Sequence, residues 1–178
     1  MQTSLYSVTV PLFSKNLKNL SAILDKGVMH AENKKFDANT LLTSRLAPDQ
    51  FPFVKQVQLA SDAAKGLAAR LNGKEPESIA DTESTIEELK ARIDKTIAIL
   101  DAVKPEDIDG KEDVKVTLAR FPGKFITGFD FATQFAIPNF FFHVTTAYAI
   151  LRHNGVEIGK GDFLGSISFQ DLIQEGEA

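Results

Sequence analysis

The sequence predicts an all-α fold, an antiparallel four-helix bundle with a small β-hairpin before the last helix. Three observations predict it. Four long stretches repeat apolar residues at spacings of three and four, which marks one face of a helix. One short stretch, Val114 to Thr127, alternates apolar and polar residues about a turn. At 178 residues, with 43% apolar and 25% charged side chains, the chain has ordinary globular usage and the length of a single domain, taken as 1–178.

The first helix is expected within Ser4 to His30, where Phe13, Leu17, Leu20, Leu24, Val28 and Ala31 form the stripe. Pro11 lacks an N–H and crowds the preceding turn, so it should end an opening turn or kink the helix. Lys34 to Pro48 reads as a connector whose Leu41, Leu42 and Leu46 must cover apolar surface. The second helix is expected to open at Asp49, a good N-cap residue after Pro48. Its stripe is Phe53, Val57, Ala60, Ala64, Leu67 and Leu71, thin enough for a neighbour to approach closely, and Asn72-Gly73 stops it. After a polar connector, Lys74 to Ala80, the third helix should start near Asp81-Thr82, with Ser84 and Glu87 at capping-box spacing. Ile86, Leu89, Ile93, Ile97 and Leu100 form its stripe, and Lys104-Pro105 closes it.

Pro105 to Asp113 carries five acids and one Lys and reads as a solvated loop. Val114, Val116 and Leu118 then alternate with polar or small residues, and Pro122-Gly123 occupies the centre of a type II turn. Phe125 to Thr127 would be the returning strand, and a two-stranded ribbon must pack on the helices to persist. The fourth helix should open at Pro138, a residue suited to a first helical position, and end at Asn154-Gly155. Phe140, Val144, Ala147 and Leu151 make its main stripe, widened by Phe141, Phe142, Tyr148 and Ile150, so the helix is buried or at a subunit interface. Val156 to Ala178 reads as loop with a weak helical turn near Gln170.

Lys+Arg 20 against Asp+Glu 24 gives a net charge of −4, which argues against a nucleic-acid partner. No apolar run approaches the roughly 20 residues of a membrane span, so a soluble chain is expected. Met1 to Phe13 shows no basic segment leading an apolar core, so no signal peptide is expected. Zero Cys excludes disulfides, thiolate zinc sites and Cys nucleophiles, and the default location is the cytoplasm.

His30, His143 and His153 are the imidazoles available for metal binding or base chemistry. His143 closes the run Phe140-Phe141-Phe142-His143. It is either a metal ligand or buried base, or a packed histidine hydrogen-bonded to a neighbouring helix. His30 lies about 115° from the centre of the first stripe at 100° per residue. Like His153, it suits a helix C-terminus, where a cation complements the dipole. Gln56 is about 60° from the centre of the second stripe and is placed to reach into the bundle, whereas Asp62 points to the opposite side. Tyr148 and Arg152, four apart, could line a polar pocket with His143, although Arg152 suits the last carbonyls of its own helix equally well.

Other patterns fail. Gly159 to Gly165 is one residue off the dinucleotide fingerprint and follows no βαβ strand. Asp107-Ile108-Asp109-Gly110 places its glycine too early for a calcium loop and has Leu118 where the bidentate Glu belongs. Asn19-Leu20-Ser21 is a glycosylation pattern, but it lies mid-helix in a chain for which no export signal is expected. A nucleophile elbow, a His-Glu-x-x-His pair and a P-loop are all missing.

Four helices with a hairpin before the last resemble the DinB/YfiT-like metalloenzyme superfamily. Within it, Asn16 to Leu24, Leu46 to Pro52 and Pro138 to Arg152 resemble a bacterial domain-of-unknown-function family, and the likeness spans nearly the whole chain. The resemblance implies a divalent metal held by one His of the second helix and a His-x-x-x-His pair of the fourth, with thiol-dependent transferase or hydrolase activity in some members. His143 matches the first His of the pair, Ala147 stands at the second, and the second helix has no His. Catalytic zinc normally needs three protein ligands, so no metal or other cofactor is expected, and Gln56 is a poor substitute ligand.

The expected function is therefore a non-catalytic or small-ligand-binding homodimer that has lost the three-His site, with Gln56, His143, Tyr148 and Arg152 as candidate pocket residues. The homodimer rests on that resemblance and on the Phe-rich approach to the fourth helix: eight of the 14 Phe fall between Phe121 and Phe142. The alternative is an enzyme of the thiol-conjugate transferase or hydrolase type, using zinc or nickel on His143 with non-His partners.

Overall fold

The computed structural model describes residues 3–171. Helix accounts for 60% of the structure, against about a third in an average globular protein. A turn over residues 4–9, closed by Val8 N–H to the Ser4 carbonyl at 3.2 Å, leads into α1 (Val10–Lys34). Pro11 sits in its first turn, where a missing N–H costs nothing. Lys35 ends α1 in the left-handed region at φ 60°. Phe13, Leu17, Leu20, Ile23 and Leu24 are buried.

A 3₁₀ turn (Ala38–Thr43) follows, with Leu41 and Leu42 buried. Leu46, expected to cover apolar surface with them, is 45% exposed. Helix α2 spans Phe53–Leu71, four residues later than Asp49 suggested. Pro52 is the reason, because a proline restricts the residue before it to extended backbone. Helix α3 spans Ile86–Asp101, and its capping box is Thr85 with Glu88 rather than Ser84 with Glu87. Residues 72–85 run as an extended connector between α2 and α3.

Pro105–Ile108 forms a short helical turn, α4, rather than a loop. Ile108 is fully buried there, so one apolar residue holds an otherwise acidic stretch against the core. Strands β1 (Lys115–Thr117) and β2 (Phe125–Thr127) pair antiparallel, with Val116 opposite Ile126. Gly123 takes φ +75° in the connecting turn, and Lys124 N–H bonds the Phe121 carbonyl at 3.2 Å, as a type II turn requires.

The last long helical run starts at Gly128, ten residues before Pro138. It comprises α5 (Gly128–Asp130), a π-helical segment (Phe131–Ala136) and α6 (Ile137–His153). Inside an α-helix the Pro138 ring would collide with the carbonyl four residues back, and the widened π turns immediately before it relieve that conflict. The helical turn expected near Gln170 is instead α7 (Lys160–Leu164). Residues 165–171 are non-helical, and the rest of that expectation lies outside the described residues. Lys26 and Asp162 form an ion pair at 2.6 Å between α1 and α7.

The four long helices share one contiguous core, and named contacts give their directions. Lys18–Asp101 and Lys90–Asp25 ion pairs set α1 and α3 antiparallel. Phe13 stacks on Phe140 at 4.2 Å, and Gly27 faces Leu151, so α1 and α6 run in the same direction. Gln56 meets His143 while Asp62 and Arg70 share a cleft with Asn139 and Ala136, so α2 and α6 are antiparallel. Asp62 meets Arg92 while Ala68 and Asn72 neighbour Ile99 and Val103, so α2 and α3 are parallel. The expected antiparallel arrangement therefore holds for α1 with α3 and α2 with α6 but not for α2 with α3 or α1 with α6, because the long connector over residues 72–85 lets two consecutive helices point the same way. No helix among the described residues is long and apolar enough to cross a membrane.

Candidate functional site

The α2–α6 seam is apolar along most of its length because α2 supplies Val57, Ala60, Ala64 and Leu67 and α6 supplies Phe140, Val144 and Ala147. Near the start of α2, two polar side chains interrupt it. Gln56 is 1% exposed and His143 is 7% exposed. His143 Nδ1 lies 2.8 Å from Gln56 Oε1, and Gln56 Nε2 donates to the Phe51 carbonyl at 2.9 Å.

That second bond fixes the amide, since only its nitrogen can donate to a carbonyl. Gln56 therefore presents oxygen to the ring, and Nδ1 must carry the proton. His143 Nε2 keeps its lone pair and makes no hydrogen bond among the described residues. Burial pushes the His143 pKa down to about 4, so the ring is neutral at pH 7.

Tyr148 and Arg152 do not join this pair. At 100° per residue they stand about 140° and 180° around α6 from His143. Tyr148 Oη donates to the Ile158 carbonyl at 3.4 Å, and Arg152 Nη1 donates to the Val156 carbonyl at 3.3 Å. Both tie down the segment after α6. His30 packs edge-on against Phe36 at 5.8 Å, and His153 is exposed.

A second polar cluster lies between α2, α3 and the connector. The Arg92 side chain is 1% exposed. Its Nη1 contacts Asp81 Oδ1 and Glu83 Oε1, each at 2.9 Å, and the Ala80 carbonyl at 3.1 Å. Its Nη2 contacts Asp62 Oδ1 at 2.9 Å, and Lys65 Nζ approaches the same oxygen at 3.0 Å. Lys55 pairs with Asp81, and Gln58 donates to Glu83 at 2.8 Å. Burial alone would raise the pKa values of Asp81 and Glu83, but hydrogen bonds from Lys55 and Arg92, with the Arg92 charge, hold both below their ordinary values. Its carboxylates all have cationic partners, so the cluster fastens the connector rather than offering a reactive group. The sequence did hold a signal for it: Arg92 and Thr96 lie on the Leu89–Ile93 face of α3, where apolar residues were due.

The donor set does not fit a three-ligand metal centre. Ala147 occupies the position four residues after His143, and the Gln56 oxygen is already taken by the Nδ1 proton. Among the described residues, no three His, Cys, Asp or Glu side chains are grouped closely enough to hold a metal ion.

The helix order, the hairpin before the last long run and the α2–α6 seam define a DinB-like helical domain. The chain belongs to the family described as a domain of unknown function, DUF1993, whose model matches residues 5–164. It is similar to the crystal structure of a DinB family member protein from Shewanella denitrificans. The two share 46% identity and a TM-score of 0.91, over 94% of this chain and 96% of that one. No curated protein matches the chain.

Proposed function

We propose that residues 1–178 form a single domain, a four-helix bundle of α1, α2, α3 and α6, that serves as a non-catalytic or small-molecule-binding homodimer. In this reading the superfamily's three-His metal centre has been lost. The observation that carries it is the hydrogen bond between His143 and Gln56. It commits the one matching imidazole and the nearest polar group of α2 to each other, where the resemblance implies ligands on both helices. Phe51 and Phe142, 58% and 57% exposed, flank the ends of this hydrogen-bonded chain and supply apolar surface for a second copy. A cytoplasmic location accords with the absence of Cys.

The competing reading is a zinc or nickel enzyme built on His143, and its support is the lone pair left on Nε2. Elemental analysis of untagged protein separates the two. The proposal expects metal far below one equivalent and a melting temperature unmoved by chelator. Stoichiometric metal, lost in His143→Ala together with stability, would establish the enzyme reading, because a ion bound only by the folded state stabilises it. Light scattering that shows a monomer at micromolar concentration would remove the dimer.

A further inference from the structure

The hairpin and the π-helical segment enclose an apolar groove that neither the metal question nor the His143 pair involves. It consists of two adjoining hollows of about 190 and 300 Å³ that share Leu118, Phe121 and Phe135 in their walls. Phe121 and Phe135 are 47% and 40% exposed, so the walls are open to an occupant. Phe131, Phe135 and Ala136 come from the π-helical segment. Short π segments inside α-helices are frequent at functional sites.

The polar groups of the larger hollow are one-sided in charge. Arg70, Arg120 and Asn139 line it, together with Asp62. The Asp62 charge is offset by Arg92 and Lys65, which both meet its Oδ1. Among the described residues, Arg70 bonds the Gly66 carbonyl of its own helix, at 3.2 Å, and no other group. Arg120 makes no ion pair or hydrogen bond among the described residues. Lys124 adds a third cation at the smaller hollow. Aromatic walls beside uncompensated guanidinium groups fit a small molecule with an apolar body and a carboxylate head, which the planar arginine fork matches.

We propose that this groove binds small amphipathic carboxylates through Arg120 and Arg70, with the Phe121 and Phe135 rings against the apolar body. The inference rests on the reading of the chain as a small-molecule binder and names its ligand class. A second copy suits the groove less well. A two-fold interface pairs a patch with itself, which would bring the same unpaired arginines together.

Calorimetric titration of the whole protein with octanoate, 1-octanol and octyltrimethylammonium tests it. Octanoate should bind about tenfold or more tighter than octanol, the effect of one charge-assisted hydrogen bond. Arg120→Ala should bring the two to parity, Arg120→Glu should transfer the preference to octyltrimethylammonium, and Phe135→Ser should weaken all apolar probes. Equal binding of octanoate and octanol, no binding of any probe, or an unchanged preference in Arg120→Ala would each overturn the proposal. So would a wild-type dimer that rejects octanoate and is dissociated by Phe135→Ser, which would give the groove to a second copy. Metal content measured on the same preparations keeps the two readings apart. Octanoate selectivity with stoichiometric metal would leave the groove and remove the metal-free reading, and the reverse result would do the opposite.

Discussion

His143 Nδ1 and Gln56 Oε1 meet at 2.8 Å across the α2–α6 seam, and this single contact sets the proton position on the ring. Gln56 Nε2 is held by the Phe51 carbonyl, so the amide cannot turn over to suit a different tautomer without losing a bond. Protonating the ring adds charge at Nε2 in a nearly buried site, which is why the pKa falls to about 4.

A pH dependence follows from that displacement. An unfolded His titrates near 6.5, so below that pH the unfolded chain takes up a proton that the folded chain refuses. The contribution of His143 is therefore complete above pH 6.5 and is lost as pH falls toward 4. The full loss is on the order of 3 kcal/mol for a displacement of this size. Asp81, Glu83 and Asp162 have lowered pKa values, so their contributions are lost at lower pH, below the ordinary carboxylate range. Denaturant melts from pH 7 to 4 should show the His window in the wild type and a flatter profile in His143→Gln. Parallel profiles for the two proteins would sink the assignment.

The same contact predicts coupling. Gln56→Ala leaves the His143 Nδ1–H and the Phe51 carbonyl without their partner, a cost of about 2–3 kcal/mol. His143→Ala should cost about 1–3 kcal/mol, and the double variant less than the sum. A double-mutant cycle should give a coupling energy of about 1 kcal/mol. Strict additivity would mean that the bond contributes nothing in solution.

The stripes of α1, α2, α3 and α6 were legible because helical periodicity is local, and the hairpin about the Pro122-Gly123 turn was legible from the alternation of Val114, Val116 and Leu118. Four features were not. Pro138 has the look of a helix start, yet the run begins at Gly128, because π-type widening carries no periodic signature. Asp49 is a better cap by type than Pro52, yet the extended backbone imposed by Pro52 prevails. Gln56 could be placed on the inward side of its helix from angle alone. Its pairing with His143 spans 87 residues and depends on which helices become neighbours. Arg92 could be placed on the apolar face of α3 from spacing, but its partners come from α2 and the connector and were not legible.

Arg92 gives a third prediction. Arg92→Ala leaves Glu83, whose side chain is 8% exposed, with a buried charge and no guanidinium. Breaking one side of such a pair costs about 3–5 kcal/mol. The connector over residues 72–85 should then open to protease before the helices unfold. Arg92→Met with Glu83→Gln should recover part of the loss, because apolar or neutral replacement of both sides avoids the orphaned charge. Protease sensitivity equal to wild type in Arg92→Ala would show that the cluster does not hold the connector.

At Gly128 the backbone of Lys111 passes close to the start of α5. An added Cβ would overlap the Lys111 carbonyl oxygen and stand 3.0 Å from a Val114 methyl and 3.1 Å from a Leu71 methyl. The adjacent Phe129 N–H bonds the Glu112 carbonyl at 2.8 Å, so the loop before β1 cannot retreat without breaking that bond. Since backbone rather than a flexible side chain blocks the space, Gly128→Ala should destabilise by about 1–3 kcal/mol through overpacking. The strain should reach α4 and the hairpin before it reaches α1. Amide exchange should accelerate at Val114 to Thr127 in the variant while Leu17 to Leu24 stays protected. Uniform acceleration across both regions would mean that the hairpin is not a separate local unit resting on the helices.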